Sequence, residues 1–283
     1  MKPQQKQSMS FDDLGDRMKM YEGQEAARHF IPRLPIVARL DGKAFHSFTR
    51  GLEQPFDARL MVCMVETAIH LVKFTNARIA YRQSDEITLI WPGQMNRDDF
   101  WFAGRVQKMN SLLAATATNF FNKIVAKKLP ANYADKDPLF DCRVWQVPDE
   151  TEAVNTLVWR ENDAVKNSIM AHALHCVGHK TVLGQDQKAQ LDFIHGKGQN
   201  WNDNPDWAKR GTYVMRQRTR APFTTEEFDA LPAKHYARTN PDLIVERVKI
   251  DVLEMPRITS IANRNEVFFH GATPLVSIQG ESS

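Results

Sequence analysis

Three acidic side chains stand where apolar runs begin or end. Asp41 closes LPIVARL and is followed by GKAFH, while Asp85 and Glu86 interrupt AYRQSDEITLIW. Apolar, β-branched runs of this length read as buried strands. A carboxylate buried alone is costly, so such residues sit at strand ends or hold a cation. On neighbouring strands, Asp41 and Asp85 could converge on a divalent metal. Gly42 would then turn the backbone so that its carbonyl faces the same ion and the following N–H groups face phosphate. The ordinary alternative is an Asp-Gly turn and a Ser-Asp-Glu loop, both common.

The surrounding elements follow from hydrophobic period. Phe11 to Phe30 predicts a helix, with Leu14, Met18, Tyr21 and Glu25 at helical spacing and Asp12 and Asp13 at its start; Pro32 and Pro35 then break it. After the Asp41 strand comes a polar loop with Gly51 and Pro55. Asp57 can cap the next helix, whose apolar face is Leu60, Met64, Ala68 and Val72. Strands follow at Arg78–Tyr81 and Ile87–Trp91, joined by QSDE. A long helix is expected from Phe100 to Lys127, burying Trp101, Val106, Met109, Leu113, Phe120, Phe121 and Ile124. Phe140–Val147 forms the fourth strand, ended by Pro148. Strand–helix–strand–strand–helix–strand is the ferredoxin-like order. The expected fold is therefore α/β, an antiparallel sheet with helices on one face. A disordered tail at 1–10 precedes a catalytic unit at 11–148. Helical and β additions at 149–283 pack on that unit, with helices through His175 and near Gln185–Phe193.

The chain has 283 residues, 42% hydrophobic and 25% charged, as in a soluble globular protein. Three widely spaced cysteines, Cys63, Cys142 and Cys176, argue for a reducing compartment. The polar N-terminus and the lack of a membrane-length apolar run point to the cytoplasm. Net charge is only +3, but Lys209, Arg210, Arg216, Arg218 and Arg220 are close together. The last three alternate, which on a strand aligns three guanidiniums on one face, suited to phosphates; the alternative is an edge strand guarded by charge. His172, His175, Cys176 and His179 share a helical face and could bind zinc, although structural zinc normally draws ligands from two elements.

DGKAFHSF, YRQSDE, FDCRVW, WRENDAVKNSI, GHK, NWNDNP and KRGTYV occur in that order between Phe11 and Val214. The series resembles the tRNA-His guanylyltransferase family, which adds nucleotides in the 3′-to-5′ direction on a polymerase-like palm. The resemblance implies two Mg²⁺ ions at Asp41, the Gly42 carbonyl and Asp85, with Glu86 as accessory catalytic carboxylate. It further implies nucleotide contacts from Gly42, Lys43, Ala44, Phe45, His46 and Ser84, and a role for Asp57 in reading guanine. Arg160, Lys166 and Asn167 would join the basic residues above in holding tRNA. GTP and ATP would be substrates and the assembly a homo-tetramer. The tRNA-His-specific branch carries a His-Ile-Asn-Asn run where Val165, Lys166, Asn167 and Ser168 stand here, and Gln54 replaces a frequent cation. The chain thus resembles the bacterial and archaeal branch, associated with template-dependent repair of tRNA 5′ ends. A palm-fold nucleotidyl cyclase and a non-catalytic RNA-binding protein are the alternatives.

Overall fold

The computed structural model describes residues 13–93, 101–240 and 242–277; the tail expected at 1–10 lies outside them. Strands β1 (Ile36–Gly42), β2 (Ile79–Gln83), β3 (Glu86–Trp91), β4 (Phe140–Gln146), β5 (Thr212–Pro222) and β6 (Ile244–Leu253) form one sheet in the order β4-β1-β3-β2-β5-β6. Every pairing is antiparallel. The first four strands keep the ferredoxin-like arrangement, so the expected α/β palm is what the chain forms.

Strand alternation divides the sheet into two buried faces. Ala38, Leu40, Ala80, Ile87 and Leu89 pack under helices α3 (Ala58–Thr75) and α4 (Val106–Lys128). Val37, Ile79, Tyr81 and Ile90 pack under α5 (Glu150–Val177), together with Tyr213 and Phe268. Two-sided burial explains why the strand sequences read as near-continuous apolar runs. The far half of α5 makes its own small core with α6 (His179–Val182) and α7 (Gln187–Gly196) through Ile169, Ala173, Val182 and Ile194.

Asp13 and Asp57 cap their helices as the sequence suggests, and Asp149 and Asp186 also accept a backbone N–H at a helix start. Two expectations need correction. Helix α1 (Leu14–Ala26) ends short of the expected Phe30, and it buries nothing, with Leu14, Met18 and Tyr21 exposed; helical spacing does not supply a surface to pack against. The long helix starts at Val106 rather than at residue 100, which lies outside the described residues. The backbone turns left-handed at Phe102, Ala103 and Gly104, interrupting the helical ladder.

The short helix α2 (Phe45–Phe48) hangs on an aromatic cluster. Phe45 lies 5.1–5.5 Å, ring to ring, from Phe48, Phe121 and Phe140. This cluster fixes the segment that leaves Asp41. Phe121 is fully buried in it, so Phe121→Ala should cost about 3–5 kcal/mol in urea denaturation.

Candidate active site

Register brings the acidic residues together. Asp41 stands opposite Glu86 across the β1–β3 ladder, and the Gly42 N–H donates to the Asp85 carbonyl at 3.2 Å. A Cβ on Gly42 would lie 2.3 Å from the Phe45 ring, so only glycine lets that ring pack beneath the turn. Each carboxylate strand end is flanked by a small left-handed residue, Ala44 at φ 54° and Ser84 at φ 46°. That conformation costs about 1–2 kcal/mol each, held by the surrounding ladder.

The three carboxylates divide into two environments. Glu86 is buried and accepts from Arg160 Nε at 2.7 Å, with Arg39 Nε 3.8 Å from its other oxygen. Burial raises its pKa and the Arg160 guanidinium opposes the rise. Asp85 is also raised, first by burial and then by the nearby Asp41 charge, while the Ser84 side chain bonds its charged form. Among the described residues no cation pairs with Asp41 or Asp85, and no three His, Cys, Asp or Glu residues cluster as a metal cage. Two adjacent hard-oxygen donors without a counter-ion, beside a turn that only glycine can make, fit a divalent cation.

Other expected residues have definite places. The Lys43 N–H is taken by the Leu139 carbonyl at 2.8 Å, which removes it from a phosphate cradle. Those of Ala44, Phe45 and His46 precede the first bond of α2, Ser47 N–H to the Ala44 carbonyl. Asp57 is the cap: its oxygens accept from the N–H groups of Glu53, Arg59 and Leu60 and from the Arg59 side chain. Arg160 is 5% exposed and bonded to Glu86 and Asp163, which corrects its expected RNA-facing role. Lys166 and Asn167 are exposed on the same helix. Lys209 and Arg210 both pair with Asp206 of α8 (Asp206–Lys209). Arg216, Arg218 and Arg220 do share one face of β5, but Glu246 of β6 neutralises part of that charge, at 3.2 Å from Arg218 and 3.5 Å from Arg220. His172 is bonded to Gln199 and Asn204, Cys176 contacts Gln199, and His179 lies in α6 beyond the end of α5, so the four do not share one helix face.

A cleft of about 290 Å³ opens beside Ser84, lined among others by Asp57, Arg82, Gln83, Asn167 and Trp207. Arg82 was missing from the sequence reading. It is 3% exposed, and its Nη2 donates to the Trp207 carbonyl at 3.3 Å. Its Nε has no partner, and burial pulls its pKa down to about 10. A charged residue inside the apolar run AYRQ was the available signal, since a guanidinium is rarely buried without purpose. Ser168, which replaces the second Asn of the guanylyltransferase run, lies at this cleft and accepts from Trp201 Nε1 at 3.1 Å; its hydroxyl is 3.2 Å from the Lys209 carbonyl.

An antiparallel palm with paired carboxylates at the meeting ends of its central strands, and a cleft beside Ser84, fits a nucleotidyltransferase and leaves the cyclase alternative to be separated by comparison. A profile of the family described as tRNAHis guanylyltransferase (Thg1) matches residues 15–148. Among solved structures, a bacterial tRNA(His) guanylyltransferase (Thg1)-like protein in complex with ATP is similar at 36% identity and TM-score 0.65, over 72% of this chain and 88% of that one. The tRNA(His) guanylyltransferase of Saccharomyces cerevisiae is similar at 25% identity and TM-score 0.57, over 66% and 89%. A mimivirus protein, R259 of Acanthamoeba polyphaga mimivirus, is 30% identical over 73% of this chain and 78% of its own length. A probable tRNA(His) guanylyltransferase of Drosophila melanogaster is 29% identical over 66% and 69%. The chain belongs to the tRNA(His) guanylyltransferase family, which sets aside the cyclase alternative.

The Asp57 cap has a pH signature. Its carboxyl, held by Arg59 and backbone N–H groups, titrates at about 2 instead of 3.8. A lowered carboxyl stabilises the fold fully above about pH 4 and loses that contribution as pH falls through about 2. Asp57→Ala should cost about 1–2 kcal/mol at neutral pH. The stability gap to wild type, followed by denaturation across pH, should close toward pH 2.

Proposed function

We propose that this chain adds nucleotides in the 3′-to-5′ direction to the 5′ end of tRNA, with magnesium, guided by the opposite strand. The observation that carries the reading is the pair Asp41 and Asp85, joined through the Gly42–Asp85 backbone bond and left without a counter-ion beside a cleft. Magnesium held by Asp41, Asp85 and the Gly42 carbonyl would supply charge neutralisation for the triphosphate and the attacking oxygen. The chain's own groups do the rest by positioning. The left-handed turn at Ala44 aims the N–H groups that open α2, and Arg82 offers a buried cation at the cleft wall. Glu86 keeps its place through Arg160 and acts behind Asp41.

Similar bacterial proteins have been solved in complex with ATP and with GTP, and both are the substrates proposed here. ATP would activate a 5′-monophosphate, and the 3′-hydroxyl of the incoming nucleotide, usually GTP, would attack the activated end. The β5 stripe and Lys166 would meet tRNA phosphates. We place the enzyme in the cytoplasm as a homo-tetramer; no helix among the described residues is long and apolar enough to cross a membrane. Loss of the His-Ile-Asn-Asn run favours template-directed repair: Val165 and Lys166 stand where its His and Ile would, and Ser168 is engaged by Trp201 and by the Val165 and Lys209 carbonyls.

Replacing Asp41 or Asp85 by Asn should lower nucleotide addition by far more than tenfold, about 1.4 kcal/mol of barrier. Magnesium should raise the melting temperature of wild type but not of either variant. Retention of a tenth of the activity would remove the residue from the metal site. Template direction is read with 5′-truncated acceptor stems carrying each facing base, alongside full-length tRNA-His. The complementary nucleotide should be added to every stem. Guanosine added solely to tRNA-His, whatever base faces it, would assign the chain to the tRNA-His-specific branch.

A further inference from the structure

The sheet face that bears Asp41 carries a second feature. Arg39 lies two residues earlier on the same face, about 7 Å along the strand. It stands opposite Arg143 of β4. Arg39, Arg143, Trp145, Asn155, Thr156 and Trp159 line an open cleft of about 510 Å³, between the sheet and the first turns of α5. Trp159 is 52% exposed, although Leu157 and Arg160 beside it are buried. The Arg160 and Arg39 guanidinium carbons sit 4.3 and 5.7 Å from its ring centroid.

The cationic charge here is incompletely answered. Arg39 Nε is buried without a hydrogen-bond partner; the nearest carboxylate oxygen, on Glu86, is 3.8 Å away. Arg143 is half exposed and 3.7 Å from an equally exposed Asp141. Glu152, the acid at the rim, accepts from Asn155 Nδ2 at 2.9 Å. An open indole beside two under-neutralised guanidiniums suits a nucleobase followed by a phosphate. Arg39, about 7 Å along β1 from Asp41, sets this cleft next to the paired carboxylates.

We propose that the Arg39–Arg143–Trp159 cleft is an RNA subsite. It holds the nucleotide next to the reacting 5′ end, with the base against the Trp159 indole and a phosphate between Arg39 and Arg143. The inference rests on the chain acting at RNA 5′ ends. The probe is a 5′-truncated tRNA with 2-aminopurine as its 5′-terminal nucleotide, and a second tRNA with the same base in a loop.

Binding to wild type should change the fluorescence of the terminal probe and leave the loop probe unaltered. Trp159→Ala should abolish that change and weaken RNA binding about tenfold, the size of one lost base–aromatic stack. Trp159→Phe should retain most of both. Affinities for ATP and GTP should stay unchanged throughout. Arg143→Gln should reduce the salt slope of RNA affinity by about one ion. Unchanged probe fluorescence and affinity in Trp159→Ala, with wild type binding RNA normally, would overturn the subsite alone. An equal loss of ATP or GTP affinity would overturn it in favour of a free-nucleotide site. An unchanged salt slope in Arg143→Gln would overturn the phosphate contact. Wild type binding no RNA at all would overturn the functional reading, and the subsite with it.

Discussion

The bond between Arg160 and Glu86 decides how the acidic end of this sheet is organised. Both side chains are buried, and removing one partner of such a pair leaves a charge in a low-dielectric interior at a cost of about 3–5 kcal/mol. Because it joins β3 to α5, the pair ties the helix packed on this face of the sheet to the strand that starts beside Asp85. It also sorts three neighbouring acids by role. Glu86 is satisfied from within the protein, so the unbalanced negative charge is concentrated on Asp41 and Asp85 at the solvent side. The cation site proposed there needs that imbalance to survive folding.

The remaining walls of the site come from distant parts of the chain. Arg82 reaches Trp207, Tyr81 reaches the Arg210 carbonyl, and Ser168 meets both Trp201 and the Lys209 carbonyl. A palm alone would therefore present Asp41 and Asp85 beside a half-built cleft. The segment around residues 200–211 closes it, which explains why NWNDNP and KRGTYV accompany the acidic motifs along the sequence.

The sequence carried the centre of the sheet clearly, since β1, β2 and β3 are mainly apolar runs, and two-sided burial makes such runs long. Caps such as Asp57 were legible because capping is local. The cations were not. Arg160 looks like any helix arginine until Glu86, 74 positions earlier, is placed beside it, and nothing near Arg218 announces Glu246 on the neighbouring strand. Ion pairs of this kind are settled by tertiary geometry. The same applies to α1, whose apolar stripe is real but whose neighbours leave it uncovered. The Lys43 N–H was miscast for the same reason, its acceptor being Leu139 at the entrance to β4.

The place of β2 in the sheet bears on synthesis as well as on shape. Its residues are buried from end to end, flanked by β3 on one side and β5 on the other. The contact of Arg82 with Thr212 spans 130 positions. At cellular elongation rates the ribosome takes on the order of ten seconds to make that stretch. Throughout that interval the nascent palm carries an apolar strand with one unpaired edge, the geometry that invites pairing with another chain. The emerging protein therefore has a window of vulnerability that ends when β5 zips onto β2.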